Sequence, residues 1–531
     1  MMEERVKYAL KRLEYLKSKR QPWEKYWDKA AELCAAHSKI YIKDINGKIV
    51  QKLFDSTAIN ALTCFCSSMK SILVPSNQTY HRIKPSRPEL ENNENVKAFL
   101  EYVNNLLFKF RYSGQSMFSY EADVLLKQIG IYGISPWLVE EDIGRGIFYR
   151  AIPVNEVYCD VNRANRVDVV YRVYELTLRQ AIKEFGARAT AKMKEGYDKD
   201  PERKINLLHV VEPREERNPK RQDYTGMAFA SYHIDLDNNE LIYESGYRTQ
   251  PYMVPRFEGI PGEVYGLSPA LKAFNDILTI NEMGKTVLRT GQLQANPALL
   301  TSGNIANAQR AGMAGAVVPG GLSAEGKPLI MPMQYGNNLS VSLELENQVR
   351  EMIEAAFYKP LFLSLTQDKQ MTAEEVRQRN TEKAQLLAPM GERINSEWMN
   401  GNVAREIDII RSYGLLDDVP EELYEDGSIK VEFESPMTRM QQAGEIQGIY
   451  ETLESAISLS QVAPEVLDRF DMDAALKLIA DYKGVPQKIM RSDDDVAALG
   501  EQRAQAQQAQ QLLQAAPVLT QSMKNLKDAN V

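Results

Sequence analysis

This sequence has little of the chemistry that most enzymes display. Its 531 residues include four Cys, at positions 34, 64, 66 and 159, with no framework spacing. Free thiols and a reducing compartment are expected, not a disulfide scaffold. Cys64 and Cys66 lie close together on a helical pattern and the other two are distant, so buried small side chains are expected in place of zinc ligands. The four His, at 37, 81, 209 and 233, show no paired spacing. No GxSxG nucleophile elbow occurs. No uninterrupted apolar run approaches membrane-spanning length, so no bilayer crossing is expected. The opening residues, MMEERVKYALKRLEYLKSKR, read as a charged amphipathic helix and not as a signal peptide. Positive charge is also short: 64 Lys and Arg against 72 Asp and Glu leave a net charge of −8. Tight binding of nucleic acid rests on neutralising phosphates, so this balance argues against a protein that grips DNA. It does not argue against one past which DNA slides.

Two motif-like stretches fail on inspection. Gly321–Pro328 matches a phosphate-cradling loop up to Lys327, but Pro328 stands where a hydroxyl must hold magnesium. The KPLIMPMQYG that follows has two prolines and no helical period, so no helix start aims its amides at a phosphate. Asp235, Asp237 and Asn239 imitate the opening of a calcium loop, but Glu240 sits where Gly is required and Gly246 where the bidentate Glu belongs. No metal or other cofactor is expected.

What is present is a folded chain, 44% hydrophobic and 26% charged, long enough for two to four domains. Residues 1–135 carry helical spacing: one run broken at Pro22, then runs from Asp55 to Leu73, Asn95 to Phe110 and Ser116 to Ile131. From Pro136 the period shifts towards two. WLVEED, GIFYRAI, EVYCDV, VVYRVYEL, NLLHVVEP, MAFASYHIDL and LIYESGYR read as strands of a mostly antiparallel sheet, interrupted by a helix from Leu178 to Phe185. The fold class is α+β, mainly helical.

The stretch from Gly262 to Val376 organises the rest. Ser268 and Pro269 signal a helix start, and the run to Gln292 would be a rod of roughly 35 Å. A Gly-rich insert follows, read as a small subdomain of short strands. A returning helix then carries Leu345, Val349, Met352, Ile353, Ala356 and Phe357 on one stripe. Its other face carries Glu344, Glu346, Arg350, Glu351 and Glu354. Two such rods need neighbours to cover them. After a short loop, Thr372 and Glu375 form a capping box that opens a long helix, kinked at Pro389 and stopped at Gly414. A strand, IKVEFES, follows. From Pro436 the chain is helical again and ends in a Gln/Ala-rich tail.

GEVYGLSPA opening a helix, NPALL at its far end, AFYKPLFLSL, MTAEEVRQRNTEKAQLLAPMGERI and FESPMTRMQQAGEI, in this order, resemble bacteriophage portal proteins. The wording is most similar to the head-to-tail connecting proteins of short-tailed, T7-like phages. The resemblance implies a dodecameric ring at one capsid vertex, through which double-stranded DNA is packaged and ejected. Residues 1–267 would be the wing, 268–292 and 340–358 the stem helices, and 293–339 the clip. Residues 359–371 would be the tunnel loop, 372–436 a return to the wing, and 437–531 the crown. Implied partners are the terminase large subunit, a tail adaptor, the major capsid and scaffolding proteins, and internal core proteins at the crown. The implied setting is the virion, after assembly in the host cytoplasm.

Within that frame, Lys285, Arg289, Lys359 and Lys369 are candidates for sparse cationic contacts with DNA. Glu344 and Glu351 belong to an acidic face that would discourage sticking. Phe362, Leu363 and Leu365 are candidates for an apolar constriction against DNA or for packing between subunits. Asn304, Arg310 and Lys327 are clip positions that would meet the terminase or adaptor. Two other readings stay open on residues alone: a packaging ATPase, which would use Lys327, and an internal scaffold, suggested by the helical tail.

Overall fold

The computed structural model describes residues 2–35, 53–76, 79–301 apart from 143 and 145, 322–333, 339–363, 391–416 and parts of 419–506. The chain falls into two compact units. The first comprises Met1–Tyr80, Leu106–Asp417 and Phe433–Met437; the second comprises His81–Asn105, Asp418–Glu432 and Thr438–Val531.

Helix α1 (Met2–Ala35) opens the first unit. Val6, Ala9, Leu13 and Leu16, at helical spacing, bury one stripe against Tyr171, Leu208, Val210 and Ile234. The expected break at Pro22 does not occur; the helix runs through it. An interior proline costs about 3 kcal/mol, and anchors on both sides offset this. Arg20 donates to the carbonyls of Val154, Asn155 and Val157 at 3.2, 3.0 and 2.9 Å. Trp27 is fully buried, edge-on to Tyr265 at 5.3 Å.

Helices α2 (Thr57–Leu73), α3 (Glu94–Arg111) and α4 (Phe118–Tyr132) lie within two residues of their predicted bounds. Asp55 marks the start of α2 by accepting from the Thr57 amide at 2.8 Å.

Strand β1 (His81–Pro85) belongs to the second unit. In the first, β2 (Trp137–Asp142) and β3 (Gly146–Ala151) form a hairpin turned at Gly144, which has φ 81. Strands β4 (Val157–Val161), β5 (Val167–Thr177), β6 (Lys204–Pro213), β7 (Phe229–Asp235) and β8 (Glu240–Tyr247) form an antiparallel meander in chain order. The short β9 (Tyr252–Met253) completes a three-stranded sheet beside β2. Between β5 and β6 lies α5 (Leu178–Phe185), opened by a capping box of Thr177 and Gln180. It is followed by α6 (Ala191–Lys199), which the sequence did not reveal because Met193 alone of its residues is buried.

The pair β10 (Glu258–Gly259) and β11 (Gly266–Leu267) leads into α7 (Pro269–Lys272) and α8 (Phe274–Ala295). The described part of the insert holds β12 (Leu299–Thr301) and β13 (Ile330–Pro332), paired antiparallel. Then come α9 (Leu339–Ala356) and α10 (Lys359–Leu363). Residues 391–397 are helical and lead into α11 (Met399–Ser412). Gly414, at φ 68, ends α11 as expected. Its amide bonds to Arg411 O and that of Leu415 to Ile410 O, which makes a Schellman cap. The capping box at Thr372 and the Pro389 kink lie outside the described residues.

A layer of aromatics holds α4, the β2–β3 hairpin and the 391–412 helices together. Phe118 meets Tyr149 at 5.0 Å and Trp137 at 5.6 Å, and Trp137 meets Trp398 at 5.4 Å. Below it, Arg111 and Glu406 form an ion pair with both side chains 0% exposed. Glu406 also accepts from the Tyr149 hydroxyl at 2.6 Å.

In the second unit, β1 pairs with β14 (Ile429–Phe433), the strand predicted from IKVEFES. The unit continues through most of α12 (Pro436–Ser460) and through α13 (Met472–Tyr482).

Candidate functional site

The α8–α9 hairpin is the candidate site, and its base is built by close backbone packing. Gly133 ends α4 at φ 77, and a Cβ there would lie 2.3 Å from the carbonyl oxygen of Gly266. Only glycine fits both the left-handed backbone and that approach. The contact fixes the turn from which the first rod leaves. Ser268 caps the rod as predicted: its Oγ accepts from the Leu271 amide at 2.9 Å and donates to Ile131 O at 2.8 Å. Pro269 takes the first helical position. The rod breaks briefly at Ala273 before α8 begins.

The two halves of α8 differ. In the first half, Ile277, Ile280 and Gly284 are buried. The Phe54 amide donates to Asn281 Oδ1 at 2.8 Å, and a Cβ on Gly284 would lie 3.1 Å from Phe54 O. Beyond Gly284, no α8 residue is buried. Leu288 is 54% exposed. A groove of about 500 Å³ runs along α8 past Leu278, Thr279, Glu282, Met283, Thr286 and Val287.

The predicted stripe of α9 splits in two. Ile353 and Phe357 are fully buried, whereas Leu345 is 49% and Met352 57% exposed. The predicted acidic face also divides. Glu346 is buried, and Arg350 forks between it and Asp55 at 3.0 and 3.1 Å. Glu344 and Glu351 remain on the exposed side. The spacing of Glu346 and Arg350 was legible as an (i, i+4) pair; Asp55, far away in sequence, was not.

After α9, Tyr358 takes a left-handed φ of 59, and residues 359–363 form α10. The first part of the expected tunnel loop is therefore helical. Phe362 is buried beside Phe65, at 6.3 Å between ring centroids. Leu363 is exposed. Lys359 pairs with Glu354, and Lys285 with Glu282 at 2.9 Å; Arg289 is exposed. Leu365, Lys369, Asn304 and Arg310 lie outside the described residues.

Lys327 sits in a tight turn. The Ser323 amide donates to Lys327 O at 2.8 Å, and Ser323 Oγ accepts from the amides of Glu325 and Lys327. Strand β13 follows the turn, so the amides that would cradle a phosphate are spent on Ser323. Asp235 is likewise used by its own turn, accepting from the amides of Asp237 and Asn238 at 2.9 and 3.2 Å. All four Cys are free; burial pushes the thiols of Cys34, Cys66 and Cys159 up to about 12, which removes their nucleophilic form.

The described residues form an α+β chain that presents two partly uncovered rods. Residues 6–490 match the family model described as bacteriophage head to tail connecting protein. The chain belongs to this family. It is 26% identical over 519 residues to a probable portal protein of Bordetella phage BPP-1, covering 95% of this chain and 92% of the relative. It is 24% identical over 546 residues to the portal protein of Salmonella phage epsilon15, covering 99% and 96%. Among solved structures, it is similar to a chain of the virion of a native gene transfer agent particle. That match has a TM-score of 0.37 and 11% identity, and covers 75% of this chain and 86% of the other. A chain of the neck of an empty particle of the same kind has a TM-score of 0.35 and 12% identity, covering 74% and 86%. The protein is a portal protein that connects head and tail, a structural and not an enzymatic component of the virion at the head–tail junction.

Proposed function

We propose that copies of this chain close into a dodecameric ring of the short-tailed phage type, with the α8–α9 hairpins as its stem around a channel for double-stranded DNA. The observation that carries this is the exposure of Leu288, Leu345 and Met352 on rods whose bases are firmly packed. Uncovered leucine and methionine side chains on adjoining helices are costly in water, and a heterologous contact that closes removes them from it. The wing is residues 1–267 and 372–436, the clip 293–339 and the crown 437–531. The terminase large subunit docks on the clip during filling and a tail adaptor replaces it. Capsid, scaffolding and internal core proteins surround the wing and crown.

The tunnel loop begins after α10. Leu363, with Leu365, supplies the apolar constriction, and Phe362 stays in the subunit's interior. Negative-stain electron microscopy of the purified chain tests the ring: annuli with an axial hole are expected, and a stable monomer under all conditions would refute it. Deleting Leu363–Gln370 should leave rings and impair retention of packaged DNA in assembled particles. Normal retention would remove the loop from any gating role.

A further inference from the structure

The hairpin is entered and left through single-residue joints that one side chain ties together. On the way in, Ala273 separates α7 from α8. On the way out, Tyr358 lies between α9 and α10. Its amide bonds to Ala355 O at 3.0 Å, and its carbonyl accepts from the Phe362 amide at 3.1 Å. Tyr358 holds φ 59, a left-handed backbone that glycine or asparagine ordinarily supplies at a helix end. Lys272, next to Ala273, reaches across: its ammonium donates to the Tyr358 hydroxyl and pairs with Glu258. The tyrosine ring meets Phe257 at 6.2 Å.

A neighbour explains why a tyrosine is turned this way. With right-handed angles at Tyr358, α9 would run on into α10 and Pro360 would stand inside a helix. It would offer no amide to Ala356 O, and its ring would press on that carbonyl. The left-handed backbone costs a factor of about 5–30 in population, and an interior proline a factor of about 140. The backbone alone therefore favours the bend by only about 5–30-fold. Side chains add to it. Phe362 is buried beside Phe65, and Lys359 pairs with Glu354, five residues earlier. Residues five apart on an unbroken helix stand about 140° apart around its axis, so this pair belongs to the bent form.

We propose that Tyr358 is a two-state joint, bent in this structure and able to straighten into one helix from Leu339 to Leu363, with the Lys272–Tyr358 bond as its latch. The bent state keeps Phe362 inside. Straightening lifts it off Phe65 and carries Leu363 along the axis of α9. Proline and latch act on the same equilibrium from different elements, so removing both should reverse it. The joint lies within single copies and does not depend on the ring.

The test uses the full-length chain with its four native cysteines changed to alanine. Nitroxides are placed at Glu344→Cys and Leu363→Cys, both exposed positions, and their separation is read by pulsed electron spin resonance. An unbroken helix sets these positions roughly 28 Å apart along its axis, and a bend shortens this. An excess of unlabelled chain keeps each measured pair within one copy. The otherwise unaltered chain should give the shorter distance. So should Tyr358→Gly, because glycine is at ease at positive φ. Pro360→Ala with Lys272→Met should give the longer one. Pro360→Ala alone, which removes a factor of about 140 and leaves the latch in place, should show both. A double variant that keeps the shorter distance overturns the joint, as does Tyr358→Gly at the longer one. Should the double variant not fold, Pro360→Ala alone with no trace of the longer distance overturns it too. Absence of rings from the unaltered chain overturns the ring reading and leaves the joint standing.

Discussion

Arg111 and Glu406 hold the least forgiving position among the described residues. Burial opposes the charge on Arg111, but Glu406 outweighs it and holds the guanidinium protonated more firmly than usual. Burial first, then the same carboxylate, drives the Tyr149 hydroxyl well above its ordinary value, so it remains a donor. Glu406→Ala leaves a cation 0% exposed without its counter-charge. The expected loss is about 3–5 kcal/mol, read as a lower urea midpoint. Replacing both partners with apolar residues of similar volume should recover most of it, because the isolated charge is what costs. A second residue-scale prediction concerns two imidazoles. His209 and His233 stack at 4.1 Å on neighbouring strands, with Tyr243 stacked on the far side of His233 at 4.5 Å. Burial, then the neighbouring His233 and Arg172, keeps His209 neutral well below pH 6.5. Burial, then Arg172 and Arg188, lowers His233 to about 3. The unfolded chain takes up protons at these rings near pH 6.5, and the folded sheet does not. Above pH 6.5 they leave stability unchanged. Below it each subtracts about 1.4 kcal/mol per pH unit, for His233 until about pH 3. Urea midpoints measured between pH 7 and 5 should show this slope, and His233→Phe should reduce it.

At the scale of elements, Gly133 couples the end of α4 to the start of the first rod. Gly133→Ala must strain φ 77 and push against backbone 2.3 Å away, so a loss above about 1 kcal/mol is expected. An equal stability to wild type would mean the rod's base tolerates movement. Elements of this kind were legible wherever local chemistry decides them. Ser268–Pro269 and Gly414 act within one helical turn, and the structure places both as read. Where tertiary contact decides, the sequence misled. Pro22 signals a break, but Arg20 and Trp27 clamp the helix on either side of it. The stripe of α9 looked continuous because periodicity records which residues are apolar and not what covers them. Ile353 is buried and Met352, adjacent in sequence, is exposed because α8, α2, α10 and α7 pack on α9 without covering the side that Met352 occupies. Phe362 looked like a loop residue for the same reason: its partner Phe65 lies on α2, almost three hundred positions earlier.

For the whole molecule, charge governs what the proposed channel does. Every copy added to a ring adds a net −8. Duplex DNA presents a negative charge about every 1.7 Å, and affinity for it comes mainly from phosphates neutralised by Lys and Arg. Lys285 is engaged by Glu282 and Lys359 by Glu354, so few cations remain on the described part of the hairpin to meet the backbone. The ring should then let DNA pass without holding it. Purified rings mixed with a short duplex should show no retention in a gel-shift assay near 0.15 M salt, where charge effects reach only about 8 Å. Lowering the salt to about 0.05 M should strengthen any contact that rests on phosphates, so it is the more demanding condition. Absence of binding there too would mean that retention of DNA in the head does not rest on phosphate contacts with the ring. Binding that persists above about 0.2 M salt would instead require a cluster of cations facing the channel, with Lys285 and Arg289 as the first to substitute.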